Sequence, residues 1–187
     1  MLFSARLIHV AADCLSQQKT APLVVDPVMI ATSGARLLKS SAAKALRDRL
    51  LPLAALVTPN CDEAEELTGL RIREPEHLRR AARWLHERFG CAALVKGGHL
   101  TSLAQAADVF YDGKTELLLT APFVRGVSTH GTGCTYSAAV TAHLACGRSL
   151  PEAVKLAKQY ISEAIARSQN TGRHSVLNWM VQPGSRS

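Results

Sequence analysis

The densest chemistry in the sequence lies in six consecutive residues, His130-Gly131-Thr132-Gly133-Cys134-Thr135. Two glycines let the backbone approach a ligand closely and adopt turns that other residues resist. An Ala-rich stretch follows at once, and Gly131 to Ala145 reads as a helix. The first amides of a helix have no partners within it, so they can point at an anion. A nearby negative charge gains about 0.3–1 kcal/mol from the helix terminus. The expected product is an anion hole in this turn for a transferring phosphoryl group. Cys134 falls in the same first turn, where thiolate formation is favoured, and is a candidate acceptor for the proton of a substrate hydroxyl. A glycine-rich entrance to a core helix, with Cys134 buried and inert, fits the same spacing.

Three other short segments carry candidate ligands. Asp26 follows the apolar Leu23-Val24-Val25, Asn60 and Glu63 follow Ala54-Ala55-Leu56-Val57, and Lys96-Gly97-Gly98 follows Cys91-Ala92-Ala93-Leu94-Val95. Phosphoryl transfer needs a metal ion to neutralise phosphate charge, and Mg²⁺ takes one or two carboxylates plus water. Asp26 and Glu63 are therefore candidate metal carboxylates, acting directly or through water. Simpler roles also fit: Asp26 as a turn residue before Pro27, and Glu63 as a first-turn acid behind Asn60 as N-cap. Lys96 with Gly97 offers a cation near phosphates and a close backbone approach, and equally a turn that ends a strand. The segment is neither a Walker A loop nor GxGxxG. His99 and His130 stand singly, and no His/Cys/Asp spacing supports structural zinc.

These residues are positioned by an alternation of helix and strand. Residues 4–19 have helical spacing through Leu7, Ile8, Ala11 and Leu15. After strand one, a loop holds Thr32-Ser33-Gly34, and Ser40 or Ser41 caps a helix to about Leu50, with Pro52 just beyond. Cys61 to Leu67 reads as a short acidic helix and Glu76 to Phe89 as a long one stopped by Gly90. Ala107 to Tyr111, Asp112-Gly113-Lys114 and Glu116 to Thr120 read as a β-hairpin. Leu150 to about Arg167 is the last helix, with Ser149 as cap, and the tail from about 170 to 187 is expected to be irregular. Apolar strands separated by helices imply an α/β fold with a parallel sheet covered on both faces. Ligands of such sheets sit beyond the carboxyl ends of the strands, where Asp26, Asn60, Glu63 and Lys96 all fall.

The bulk numbers agree with one globular domain over 1–187: 47% of residues are hydrophobic and only 5% aromatic. No apolar run approaches the roughly 20 residues of a membrane span, and the start lacks the features of a signal peptide, so a cytoplasmic location is expected. Five cysteines without a CxxC pair do not suggest a disulfide framework. The formal charge of +7 suits either nucleic acid or small anions. The densest basic group, Arg71 to Arg88, is interleaved with Glu74, Glu76 and Glu87 and reads as a solvated helix face. No stacking aromatics accompany it, so no nucleic-acid partner is expected.

Taken together the motifs resemble the hydroxymethylpyrimidine (phosphate) kinase family of the ribokinase-like superfamily. Val24-Val25-Asp26-Pro27-Val28-Met29 with Thr32-Ser33-Gly34, Thr58-Pro59-Asn60-Cys61-Asp62-Glu63-Ala64-Glu65, Leu94-Val95-Lys96-Gly97-Gly98-His99 and His130 to Thr135 match that family's segments in order. The resemblance implies a three-layer αβα fold with a mainly parallel sheet. It also implies Mg-ATP-dependent phosphorylation of hydroxymethylpyrimidine or its phosphate in thiamine biosynthesis. By that analogy Gly131, Thr132 and Gly133 form the anion hole and Cys134 stands where sugar kinases carry an aspartate base. Asn60 and Glu63 organise Mg²⁺ and phosphates, Asp26 lies by the metal, and Lys96 with Gly97 lies near the nucleotide. Related pyridoxal kinases, or a non-catalytic nucleotide-binding remnant, are the alternatives. Family members begin with a strand and a glycine-rich segment that is not found here, and Met1-Leu2-Phe3-Ser4-Ala5 resembles an internal family segment. An amino-terminally shortened member is therefore expected, with an exposed sheet edge or apolar face that a homodimer would cover.

Overall fold

The computed structural model describes residues 2–17, 21–30, 36–98, 100, 105–124, 131–171 and 174–181. The expectations for Thr32-Ser33-Gly34, His99 and His130 lie outside these residues. In chain order the elements are α1 (Ala5–Gln17), β1 (Val24–Val25), α2 (Ser40–Ala45), β2 (Leu56–Val57), α3 (Cys61–Thr68), α4 (Pro75–Phe89) and β3 (Ala92–Lys96). Then come β4 (Gln105–Tyr111), β5 (Glu116–Pro122), α5 (Thr132–Ala145), α6 (Leu150–Ala166), β6 (Gln169–Thr171) and β7 (His174–Val176).

Among the described residues β1 to β5 form one sheet whose spatial order is the chain order. β1, β2 and β3 pair in parallel, and β4 and β5 join antiparallel. Four of the five strands thus run the same way, with β4 alone reversed. The parallel pairings need crossovers, which α2 supplies between β1 and β2 and α3 with α4 between β2 and β3.

Side chains alternate across this sheet with period two. Leu56, Ala92, Leu94 and Phe110 share one face and join Tyr136 and Val140 of α5 and Ala153, Ala157 and Ile161 of α6. Val25, Val57, Ala93, Val95 and Val109 share the other and join the helices α1 to α4. The result is the expected three layers, αβα. Every residue of β3 is buried, which is why it reads as an uninterrupted apolar run. The α4 stripe Leu78, Ala81, Ala82 and Leu85 is buried at helical spacing, and Gly90 ends that helix at φ +74°. On its outer face Arg79 and Arg83 hold Glu116 at 2.9 and 2.8 Å, so this part of the basic group is paired. No helix among the described residues is long and apolar enough to cross a membrane.

Two expectations are corrected. The helix expected from Ser40 to about Leu50 is α-helical only to Ala45; Leu46–Leu50 widens into a π turn and Leu51–Leu53 tightens into a 3-10 turn. Pro52 has no amide to bond the carbonyl four residues back and its ring crowds that carbonyl, so α geometry is lost a turn earlier. Lys39, rather than Ser40 or Ser41, is the N-cap. The stretch from about 170 is also not simply an irregular tail. β6 pairs antiparallel with β7, and Leu177 and Val181 are buried against the layer of α5 and α6. Strands of three residues with little hydrophobic alternation leave no periodic signal to read.

Candidate active site

The ladder among β1, β2 and β3 brings three strand ends side by side. Thr58 N donates to Val25 O at 3.0 Å, and Lys96 N donates to Pro59 O at 2.8 Å. Asp26 therefore lies beside Thr58, and Lys96 beside Asn60, with which it forms a parallel bridge. Lys96 Nζ then reaches back to Asp26 Oδ1 at 2.9 Å, with the two side chains only 10% and 18% exposed. The same ammonium faces α5: a methyl group at Gly133 would stand 3.2 Å from Nζ. A carboxylate, an ammonium and a helix N-terminus thus meet at one point. Gly131 is the N-cap of α5 at φ +84°, a conformation that side chains resist, and Thr135 N closes the first helical bond to Gly131 O at 2.8 Å.

Glu63 adjoins this point from α3. Asn60 Oδ1 accepts from Glu63 N and Glu63 Oε2 accepts from Asn60 N, both at 2.9 Å, a complete capping box. Glu63 Oε1 accepts from Met29 N at 3.3 Å, which ties α3 to the segment after β1. Burial pushes the Glu63 carboxyl up to about 7, against the pull of the Asn60 amide and Lys96. Capping works equally well in solvent, so it explains Asn60 and Glu63 locally but not a carboxylate that is 3% exposed. Asp26 and Glu63 are hard oxygen donors of the kind Mg²⁺ takes. Among the described residues no group of three or more His, Cys, Asp or Glu converges into a cage made by protein alone. Mg²⁺ needs no such cage, since it takes one or two carboxylates and draws its other ligands from water or a bound phosphate.

Cys134 is exposed on the first turn of α5. Its thiol is raised above its ordinary value by partial desolvation first and then by the Asp26 charge, with Lys96 opposing. The thiolate expected at a helix N-terminus is therefore disfavoured, by desolvation first and then by the Asp26 carboxylate.

A model of the phosphomethylpyrimidine kinase family matches residues 1–178. The chain belongs to the phosphomethylpyrimidine kinase family. It is 46% identical to a hydroxymethylpyrimidine/phosphomethylpyrimidine kinase of Streptomyces coelicolor, over 88% of this chain and 60% of that one. It is 44% identical to the thiamine biosynthesis bifunctional protein ThiED of Geobacter sulfurreducens, over 97% of this chain and 37% of that one. The fold matches that of the pyridoxal kinase from Staphylococcus aureus in complex with ADP, with a TM-score of 0.87 and 32% identity, covering 96% of this chain and 65% of that one. The chain thus spans 37% and 60% of the length of these two curated relatives.

Within this phosphomethylpyrimidine kinase family member, Asp26, Lys96, Gly133 and Cys134 form one cluster, Gly131 and Thr132 open the same helix, and Asn60 with Glu63 adjoins it. Of the two roles open to Gly97, the structure displays the turn that ends a strand. A Cβ there would stand 2.3 Å from Ala107 O and 2.7 Å from Leu78 Cδ1, so its lack of a side chain serves packing against β4. Its amide donates to Asp108 Oδ1 at 3.0 Å and its carbonyl accepts from Leu100 N at 2.9 Å. Sequence reasoning missed four polar residues: Thr58, Asp108, Ser137 and Lys158, all buried. The available signal was a charge inside an apolar run, as in Ala106-Ala107-Asp108-Val109-Phe110.

Proposed function

We propose that this chain transfers the terminal phosphoryl group of ATP to 4-amino-5-hydroxymethyl-2-methylpyrimidine, or to its phosphate, in thiamine biosynthesis. The observation that carries the reading is Lys96 Nζ, held 2.9 Å from Asp26 and against the first turn of α5. Phosphoryl transfer is mostly positioning and charge stabilisation, and this arrangement offers both. Lys96 and the helix start at Gly131, Thr132 and Gly133 would face the transferring phosphoryl charge. Asp26, with Glu63 and Asn60 behind it, would hold Mg²⁺ directly or through water, and the ion when bound would neutralise phosphate charge. Gly97 would contribute by fixing the turn that carries Lys96. Cys134, exposed beside Asp26, would accept the substrate hydroxyl proton in its thiolate form. The names of the curated relatives support the pyrimidine substrate, and ADP in the pyridoxal kinase supports the nucleotide.

The pyridoxal kinase likeness also supports a second reading, phosphorylation of pyridoxal. The test incubates the purified chain with Mg-ATP and either substrate and weighs the products by mass spectrometry. A phosphorylated pyrimidine is expected. Phosphorylated pyridoxal alone moves the assignment to the second reading. Mg-ATP binding without transfer to either leaves a nucleotide-binding protein. The reading includes a cytoplasmic setting, supported by five unpaired cysteines, and a homodimer, supported by the exposed Phe3, Leu7 and Val10. Light scattering that gives one chain per particle would remove the dimer.

A further inference from the structure

Behind the point where Lys96 meets Asp26, two hydroxyls join the strand ends to α5. Thr58, at the end of β2, is fully buried, and Ser137, one turn into α5, is 6% exposed. Their oxygens are 2.8 Å apart. Thr58 Oγ1 lies 3.1 Å from Asp26 Oδ1, and Ser137 Oγ lies 3.0 Å from Gly133 O. An unbroken line thus runs from the first turn of α5 through Ser137 and Thr58 to the β1 carboxylate.

The line has three links and only two hydroxyl protons. The 2.8 Å contact between the two hydroxyl oxygens needs a proton between them, which leaves two orders; in one, Ser137 donates to Thr58 and Thr58 donates to Asp26. In the other Thr58 donates to Ser137 and Ser137 donates to Gly133 O. An ionised carboxylate takes a hydroxyl proton in preference to a neutral carbonyl, since charge-assisted bonds are roughly twice as strong. Gly133 O also keeps its helical amide partner in either order. The first order is therefore the one favoured beside the Lys96–Asp26 ion pair. Lys96 and Thr58 then both grip Oδ1, which fixes how the carboxylate is turned.

We propose that Thr58 and Ser137 are positioning residues that hold the Asp26 carboxylate in register with the start of α5, so that metal and phosphate are received together. The proposal rests on the reading of this site as a Mg-nucleotide phosphotransferase. Both residues act through Asp26 rather than on substrate, and Ser137 ties them to α5 as a residue of that helix. Folding does not need the pair: in Thr58→Val, which is nearly isosteric, the Ser137 hydroxyl turns to Gly133 O and Asp26 keeps Lys96, so no buried donor is stranded.

The test titrates the full chain with ADP by calorimetry, with and without Mg²⁺, and takes the ratio of the two affinities. Outer-sphere partners of a metal ligand are typically worth about 10- to 100-fold in metal affinity, so Thr58→Val is expected to lower that ratio by roughly tenfold. Binding of ADP without Mg²⁺ should be unchanged, Thr58→Ser should restore the ratio, and the two variants should melt alike. Ser137→Ala should shift the ratio in the same direction, and the double variant should lose less than the sum of the singles. A ratio unchanged in Thr58→Val, with or without a lower melting temperature, overturns the proposal, as does an equal loss with and without Mg²⁺. If Thr58→Val does not fold, Ser137→Ala read by the same ratio decides. A wild-type chain that binds Mg-ADP but transfers nothing overturns the proposed function and leaves this inference standing. One whose ADP affinity ignores Mg²⁺ overturns the inference even if it phosphorylates the pyrimidine.

Discussion

Lys158→Met tests whether the turn carrying Lys96 is held by buried charge. Lys158 Nζ of α6 lies 2.7 Å from Asp108 Oδ2 of β4, and the side chains are 10% and 4% exposed. The other oxygen, Asp108 Oδ1, accepts from Gly97 N at 3.0 Å, immediately after Lys96. Removing one partner of such a pair costs about 3–5 kcal/mol, because the remaining charge is buried without compensation. The Gly97 amide still serves Asp108, so the low end, about 3 kcal/mol, is expected. For a chain of this length that is a fall of about 6–12 °C in melting temperature. Adding Asp108→Asn removes the stranded charge and keeps an oxygen for Gly97, so this double variant should recover part of the loss, offset by its own buried amide nitrogen. Asp108→Leu with Lys158→Met strands the Gly97 amide instead and should retain a cost of about 1–3 kcal/mol together with weaker ADP binding. Urea unfolding and ADP titration read both quantities. If Asp108→Asn brings no recovery to Lys158→Met, the cost lies in lost packing of the lysine stem, and the electrostatic reasoning is wrong.

Three further outcomes are expected. Gly97→Ala should destabilise by about 1–3 kcal/mol in urea, since its Cβ would stand 2.3 Å from a β4 carbonyl that is locked into the sheet; a neutral result would show that β4 yields there. If Cys134 takes the substrate proton, kcat/KM should rise with pH to above 9.0, the ordinary thiol value that desolvation and Asp26 exceed here. Cys134→Ala should flatten that limb and slow turnover by roughly 10²–10⁴-fold, and full turnover in the variant refutes the base. Glu63 is raised from 4.5 to about 7 in the folded chain, so the fold binds its proton more tightly than the unfolded chain does. The associated stability is present below 4.5 and lost as pH rises through about 7, to the extent of about 3 kcal/mol. Glu63→Gln should flatten this slope in urea titrations without Mg²⁺, and an unchanged slope would place the pH dependence elsewhere.

The layered architecture was legible because its signals are local. The apolar runs ending at Val25, Val57 and Val95, the Leu78 to Leu85 stripe, and the stop at Gly90 each record what a residue does with neighbours a few positions away. Asn60 as the cap of α3 was legible for the same reason. The π turn before Pro52 and the short β6–β7 hairpin were not, since neither leaves a hydrophobic period.

By itself the sequence determined the family, the three layers and most residues around the turn that opens α5, because strand ends in a parallel sheet gather on one side whatever the details. Only the tertiary structure decided how those residues are wired. Ser137 meets Thr58 across 79 positions, and Lys158 meets Asp108 across 50. The resting thiol of Cys134 follows from desolvation and an aspartate on another element. Such contacts depend on register and on burial. Both are properties of the packed sheet and helices, and a local pattern holds no record of them.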